Sequence, residues 1–233
     1  MPKISHEKWK VRHNVFDQFT IRLLFKLSSQ GYFEELQSPV SMGKEANIFT
    51  ARTKEGVVIV KIYRLEACNF NKMYDYIKVD PRYILLKKQR RKVIFSWVQR
   101  EYRNVLIARA ANVRVPTPFT CLHHIIVMEY IGDEYVAPQL KDQWPEDKQG
   151  FFEQTMIFMK RLYAAGLIHG DLSEYNILNY HDKPVFIDFS QATTTRNPNA
   201  QELLTRDIKN VCNFFRKLEV KADEKMVFKK IVN

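Results

Sequence analysis

His169-Gly170-Asp171-Leu172-Ser173-Glu174-Tyr175-Asn176 and, shortly after it, Val185-Phe186-Ile187-Asp188-Phe189-Ser190 carry most of the information in this chain. The first segment places an Asp and, five positions on, an Asn; the second ends an apolar β-type run on another Asp. Phosphoryl transfer from ATP needs that inventory: one carboxylate near the attacking group, and an amide oxygen with a second carboxylate for Mg²⁺. Mg²⁺ takes hard oxygen ligands and keeps several waters, so two protein ligands plus phosphate oxygens suffice. Gly, Asp, Ser and Asn are also turn formers, and either half alone is compatible with a turn between a helix and a hairpin. The two halves together point to an ATP site.

The 233 residues fit one large domain or one bilobal unit, and 45% hydrophobic with 13% aromatic content is enough to build a core. The formal net charge of +11 favours an acidic partner, RNA or a ribonucleoprotein before DNA. Cys68, Cys121 and Cys212 lie far apart without CxxC spacing, which argues against a disulfide framework and a zinc site. The first residues lack an apolar h-region and no apolar run approaches a membrane span. The expectation is a soluble, cytoplasmic protein with no membrane partner.

Outward from the central segments, residues 14–30 carry Val15, Phe16, Phe19, Leu23, Leu24 and Leu27 near helical spacing, with Gly31 as a stop. They read as a packing helix within an N-terminal extension, 1–37. From Pro39 the pattern turns to strands. A loop over 40–46 precedes Asn47-Ile48-Phe49-Thr50-Ala51, then a turn at 54–56 and Val57-Val58-Ile59-Val60-Lys61-Ile62-Tyr63. A hairpin able to cover phosphates, then a Lys on the next strand, is how a protein kinase N-lobe begins. Only Gly43 represents the glycines of G-x-G-x-x-G, and Lys61 by itself reads equally as a solvated strand-edge residue. Residues 66–100 mix basic and aromatic side chains, with Lys87, Lys88, Arg90, Arg91 and Lys92 in one cluster. That suits phosphate contacts and base stacking, or a flexible solvated insertion over about 68–92. In the helix expected over 93–111, Glu101 is the only carboxylate and the natural partner of Lys61. The strand ending Met128-Glu129-Tyr130-Ile131-Gly132 suits an interlobe hinge whose backbone meets adenine. Residues 151–165 read as a core helix ended by Gly166. Asn197-Pro198 reads as a cap and first turn of another helix, followed by a charged tail from Glu219.

Taken together, these motifs resemble the RIO kinases, atypical protein kinases with a truncated bilobal fold. Met42-Gly43-Lys44-Glu45-Ala46-Asn47 looks like that family's phosphate loop, Val60-Lys61-Ile62-Tyr63 its lysine strand, and 169–176 its catalytic loop; Ile187-Asp188-Phe189-Ser190-Gln191-Ala192 stands where ordinary kinases have the metal Asp motif. The resemblance implies an α+β fold with a β-rich N-lobe over 38–131, a helical C-lobe over 132–233, and ATP and Mg²⁺ as cofactors. It implies Asp171 as catalytic Asp, Asn176 and Asp188 as metal ligands, and Lys61 as the phosphate Lys paired with Glu101. Ser41, Gly43 and Lys44 would lie over the phosphates, and Met128, Glu129 and Ile131 would belong to the hinge. By the family's precedent Asp188 itself would carry a transient phosphoryl group. Ser173-Glu174-Tyr175 matches the subfamily without an N-terminal winged helix, which is associated with maturation of the small ribosomal subunit. The implied partner is therefore a pre-40S or 30S-type particle or its rRNA.

No Ala-Pro-Glu follows Asp188, and the short distance to Asn197 leaves no room for an ordinary activation loop. ATPase or self-phosphorylating activity thus stands beside peptide phosphorylation as the output. Two other readings remain. Small-molecule phosphotransferases of the aminoglycoside or choline kinase type share the same motifs, but the 45 residues after Asp188 are short for their acceptor-binding subdomain. A nucleotide-gated RNA-binding assembly factor with little kinase activity would use the same charge.

Overall fold

The computed structural model describes residues 16–233. Positions 14 and 15 of the expected first helix, and the beginning of the 1–37 extension, lie outside the described residues. Helix α1 (Gln18–Ser29) starts where Asp17 accepts a hydrogen bond from Thr20 N at 2.6 Å, satisfying one of the free N–H groups of the first turn. Its apolar positions Leu23, Leu24 and Leu27 are buried in one cluster with Phe49, Val60 and Val127 of the sheet.

That sheet has five antiparallel strands in the order β1-β2-β3-β5-β4: β1 (Glu35–Met42), β2 (Ala46–Arg52), β3 (Val57–Tyr63), β4 (Pro118–Leu122) and β5 (Ile125–Glu129). β1 is the edge, largely exposed, and its register slips on both sides of Pro39, as expected for a residue without an N–H to donate. The strand runs on to Met42, so the phosphate-loop candidate is tighter than the 40–46 loop read from sequence. Gly43 N bonds Ala46 O at 3.0 Å, and a Cβ at Gly43 would come within 2.9 Å of that carbonyl. Along β3, alternation sends Val58, Val60 and Ile62 to the α1 side, and Tyr63 to the opposite face with Trp97 and Val98.

The opposite face is covered by α3 (Arg90–Ala110), on which α2 (Phe70–Ile77) packs, with one 3₁₀ turn (Pro81–Tyr83) between the two helices in the chain. The basic segment 68–92, expected to be a flexible insertion, carries a helix that packs against α3 in this structure. Met73 and Ile77, one helical turn apart, give it an apolar side that buries with Cys68 against Val93 and Trp97. Helix α3 begins earlier than the expected 93, at Arg90, whose guanidinium donates to the carbonyls of Leu65, Glu66 and Cys68 and so fastens the start of the insertion to the helix.

The second core is helical. Helices α4 (Lys148–Ala164) and α5 (Ala200–Lys217) pack around two short sheets, β6 (Leu167–Ile168) with β9 (Thr193–Thr194), and β7 (Ile177–Tyr180) with β8 (Lys183–Phe186). Phe158 meets Phe186 edge-on at 5.6 Å, and Phe152 meets Phe215 at 5.1 Å. The cap of α5 is Asn199; Asn197, read from sequence as that cap, instead accepts from Asn199 N at 2.9 Å and donates to Thr193, forming a turn just ahead of the helix. The charged tail ends in α6 (Glu224–Val232), docked through Val227 and Ile231. The three cysteines are unpaired, and no helix among the described residues is long and apolar enough to cross a membrane.

Leu24 is fully buried between α1 and the sheet. Leu24→Ala is expected to destabilise the protein by about 2–5 kcal/mol, read as a lower urea midpoint; a change under about 1 kcal/mol would mean that α1 is not part of the core.

Candidate active site

Lys61 sits on β3 between rigid neighbours and is 7% exposed. Its Nζ lies 2.7 Å from Glu101 Oε1 on α3 and 3.1 Å from Asp188 Oδ1 in the other lobe. The second oxygen of Glu101 accepts from Tyr63 Oη at 2.5 Å. Tyr63 is two residues beyond Lys61, on the same face of the strand, so strand periodicity alone brings it to the same carboxylate. Burial opposes the charge on Lys61, but Asp188 and Glu101 outweigh it and hold the ammonium well above its ordinary pKa.

The loop between β6 and β7 is fixed from α5. Gly170 N donates to Asp207 Oδ2 at 2.7 Å and Leu172 N to Asp207 Oδ1 at 2.9 Å; Arg206 donates to Gly170 O, and Asn210 Nδ2 to Leu172 O at 3.1 Å. Burial pushes the Asp207 carboxyl up to about 7, against the pull of those two N–H groups. Gly170 has φ 77°, a left-handed conformation that glycine adopts without strain, and a Cβ there would lie 2.9 Å from Gln191 O. Buried His169 donates from Nε2 to Ile187 O at 3.0 Å and packs at 4.7 Å on Phe189; burial lowers its pKa to about 4, so the ring is a neutral spacer and not a base.

These restraints set Asp171 and Asn176. Asn176 Nδ2 donates to Asp171 O at 2.8 Å, so its oxygen is the atom that remains to ligate a cation. Asp171 Oδ2 accepts from Gln191 Nε2 at 3.0 Å. Burial, then the charge of Asp188, raises the Asp171 pKa, with Arg206 and Lys72 acting in the other direction. Ile187 N bonds Asn176 O at 3.0 Å, continuing the β7–β8 pairing by one step and bringing Asp188 beside the loop. Asp188 has φ 59°, uncommon for a residue with a Cβ and a form of strain that clusters at functional sites. Its carboxylate keeps 43% exposure toward the cleft. Burial works against its ionisation, yet the charge of Lys61 and a hydrogen bond from the Ser190 side chain keep its pKa below the ordinary carboxylate value.

Lys61, Glu101 and Asp188 are therefore in direct contact, and Asp171 and Asn176 share the adjoining loop. Ser41, Gly43 and Lys44 occupy the β1–β2 tip. Burial, then the charge of Asp188, raises the pKa of the neighbouring Glu45, with Lys72 and Lys61 acting in the other direction. The hinge residues divide. Met128 packs beside the cluster of Trp97 and remains paired with Ile59 in the sheet. The Glu129 carboxylate is consumed by Arg114 at 2.7 and 2.9 Å and by Thr117 N and Oγ1 at 2.8 Å each, and Glu129 N bonds Thr117 O. Ile131 buries its side chain with Leu178 and Val185, and its carbonyl accepts from Ala137 N at 2.9 Å. Tyr63, Asp207, Gln191 and Arg100 escaped the sequence reading. Asp207 left a signal, a carboxylate between Leu204 and Ile208 on the apolar face of α5; Gln191 and Arg100 left none.

Residues 47–229 match the model of the RIO domain. The RIO-type serine/threonine-protein kinase Rio1 of Methanocaldococcus jannaschii is 42% identical over 228 residues, covering 97% of this chain and 78% of that protein. Its namesake in Haloferax volcanii is 40% identical over 220 residues, covering 93% and 76%. Human serine/threonine-protein kinase RIO1 is 36% identical over 214 residues, 88% of this chain but 38% of that longer protein. Among solved structures, the Rio2 kinase of Chaetomium thermophilum, in an ADP/Mg²⁺-phosphoaspartate complex, superposes with a TM-score of 0.67 at 21% identity. This chain covers 65% of that one, and the likeness is one of fold.

The Glu129 carboxyl is held down to about 2: burial would raise it, but Arg114 and Thr117 prevail. A carboxylate whose folded pKa lies below its unfolded value near 4.5 stabilises the fold above pH 4.5, and that stabilisation is lost as pH falls toward 2. Glu129→Gln is expected to lower stability at pH 7 by roughly 1–2 kcal/mol, allowing for solvent screening. Urea unfolding should show the difference from the parent closing by pH 2; a pH-independent difference would remove the assignment.

Proposed function

The chain belongs to the RIO-domain family of serine/threonine-protein kinases, and on that premise we propose that it transfers the γ-phosphoryl group of ATP in a Mg²⁺-dependent reaction at the cleft between its lobes. The observation that carries the reading is the joint engagement of Lys61 by Glu101 from the N-lobe and Asp188 from the C-lobe, at 2.7 and 3.1 Å.

The residues present fit the cofactor. Asn176 offers an amide oxygen and Asp188 a partly exposed carboxylate, both hard oxygen donors of the kind Mg²⁺ takes. When bound, Mg²⁺ neutralises charge developing on the phosphates. Lys61, fixed by Glu101 and Tyr63, aligns the triphosphate from above. Asp171 orients the attacking hydroxyl or water and takes up its proton; burial keeps that carboxyl more basic than an exposed one. The β1–β2 tip, with Ser41, Gly43 and Lys44, covers the phosphates and limits water. The acceptor is either a serine or threonine hydroxyl, including one of its own, or Asp188 itself; the phosphoaspartate in the C. thermophilum relative supports the latter possibility by analogy of fold.

The particle acted on is proposed to be a maturing small ribosomal subunit. Support comes from the +11 charge and from Lys72, Lys87, Lys88, Arg91 and Lys92, which are exposed on and beside the insertion. Arg90 and Arg82 do not add to that surface, because Arg90 is bound to backbone carbonyls and Arg82 to Asp80.

Asp171→Asn and Asp188→Asn are each expected to cut Mg²⁺-dependent ATP turnover by about 10²–10⁴-fold. In Asp171→Asn, affinity for a non-hydrolysable ATP analogue should stay near that of the parent, and turnover at the parent rate would refute the assignment. RNA binding by the parent should weaken steeply with added salt. Replacing Lys87, Lys88 and Lys92 by Ala should reduce the salt slope by roughly two to three, and an unchanged slope would place the RNA surface elsewhere.

A further inference from the structure

The backbone after Asp188 is held at four consecutive carbonyls from α3. Asn104 Nδ2 donates to Phe189 O at 3.2 Å and to Ala192 O at 2.7 Å; Arg100 donates to Ser190 O at 3.2 Å and to Gln191 O at 3.4 Å. Arg100 is completely buried between the rings of Tyr76 and Trp97, at 5.3 and 5.2 Å. Its remaining donor, Nε, reaches Asp80 Oδ2 at 3.2 Å. Asp80 is likewise fully buried, lies in the insertion just after α2, and also takes Arg82 at 2.7 Å and Thr193 Oγ1 at 3.4 Å. An unbroken chain of bonds therefore runs from the insertion through α3 to the segment after the metal Asp.

Gln191 is where that chain meets the chemistry. Its side chain donates to Asp171 Oδ2 at 3.0 Å, and its carbonyl lies against Gly170 in the catalytic loop. A carboxylate on a loop rotates about its last torsion unless one oxygen is tied. A neutral amide ties it without cancelling the charge that the acceptor hydroxyl needs. We propose that Gln191 is a positioning residue for Asp171, and that the buried Asp80–Arg100 pair sets Gln191 in place, making the insertion a working part of the catalytic centre. The arrangement explains why so costly a group as a fully buried Arg–Asp pair sits behind a surface segment: it specifies one conformation of the loop.

The inference rests on Asp171 being the catalytic carboxylate, and the experiment separates the two. Mg²⁺-ATP turnover and affinity for a non-hydrolysable ATP analogue are measured on the full chain and on Gln191→Met, Arg100→Lys, the double variant and Asp171→Asn, after thermal melts confirm folding. Met keeps the length of Gln without its donor. Lys keeps the charge beside Asp80 without the fork that reaches two carbonyls. Gln191→Met should lower kcat about 10- to 100-fold, and Arg100→Lys about 3- to 10-fold, with nucleotide affinity within about twofold of the parent. The double variant should fall no further than Gln191→Met, because both changes act through one hydrogen bond. Parent-like kcat in Gln191→Met, an equal loss of nucleotide affinity, or multiplying effects in the double variant would each overturn the proposal. Should Asp171→Asn turn over at the parent rate, the catalytic assignment itself falls; should it be inactive while Gln191→Met is fully active, only the positioning role falls.

Discussion

The ammonium of Lys61 is shared by two carboxylates from different lobes, and much of the molecule is arranged so that this is possible. A charge with 7% exposure is unfavourable unless compensated, and Glu101 and Asp188 supply the compensation. Each partner needs its own support. Glu101 is placed by α3, whose apolar side packs on the sheet, and its second oxygen is satisfied by Tyr63. Asp188 is placed by a backbone at φ 59° that only the surrounding hydrogen bonds make affordable. The two lobes thereby meet at the Lys61 ammonium.

The lower half of the cleft follows the same logic with a different device. The 169–176 loop, rich in turn formers, has no ladder of its own, so its amides and carbonyls are collected by one turn of α5. Arg206, Asp207 and Asn210 hold Gly170 and Leu172 from behind. Burial makes those bonds stronger than they would be in water and makes their loss costly. The loop is held from a helix, and that helix is seated in the second core through Phe215 against Phe151 and Phe152.

The insertion over 68–92 joins these halves. Its outer side is exposed and basic, while its inner side carries Asp80 to Arg100 and Tyr76 to Gly170. Composition alone makes the segment look solvated. Two apolar residues one turn apart, and one carboxylate that meets a buried Arg, are what make it structural.

Local pattern was enough for the parts of this protein that depend on chemistry at fixed spacing. Asp171 with Asn176, Asp188 after an apolar run, Lys61 in a β-branched strand and Glu101 as the only carboxylate of its helix were all legible. So were the resemblance to the RIO kinases and the succession of a β-rich and a helical half. Legibility ended where function depends on residues distant in sequence. Asp207 and Gln191 are ordinary polar residues until folding brings them to 170–172 and to Asp171. The hinge shows another limit: the expectation there concerned backbone groups, and that Arg114 and Thr117 hold the Glu129 carboxylate emerges only once β4 and β5 pair. The buried residues within 68–92, Met73, Ile77 and Asp80, were not legible because charge density averages over a segment, whereas burial is decided residue by residue. Spacing along the chain singled out the candidate groups, Asp171, Asn176, Asp188, Lys61 and Glu101; only the packing of the two lobes decided which other groups hold them in place, because a hydrogen bond across 20 or 37 residues has no period for a sequence to display.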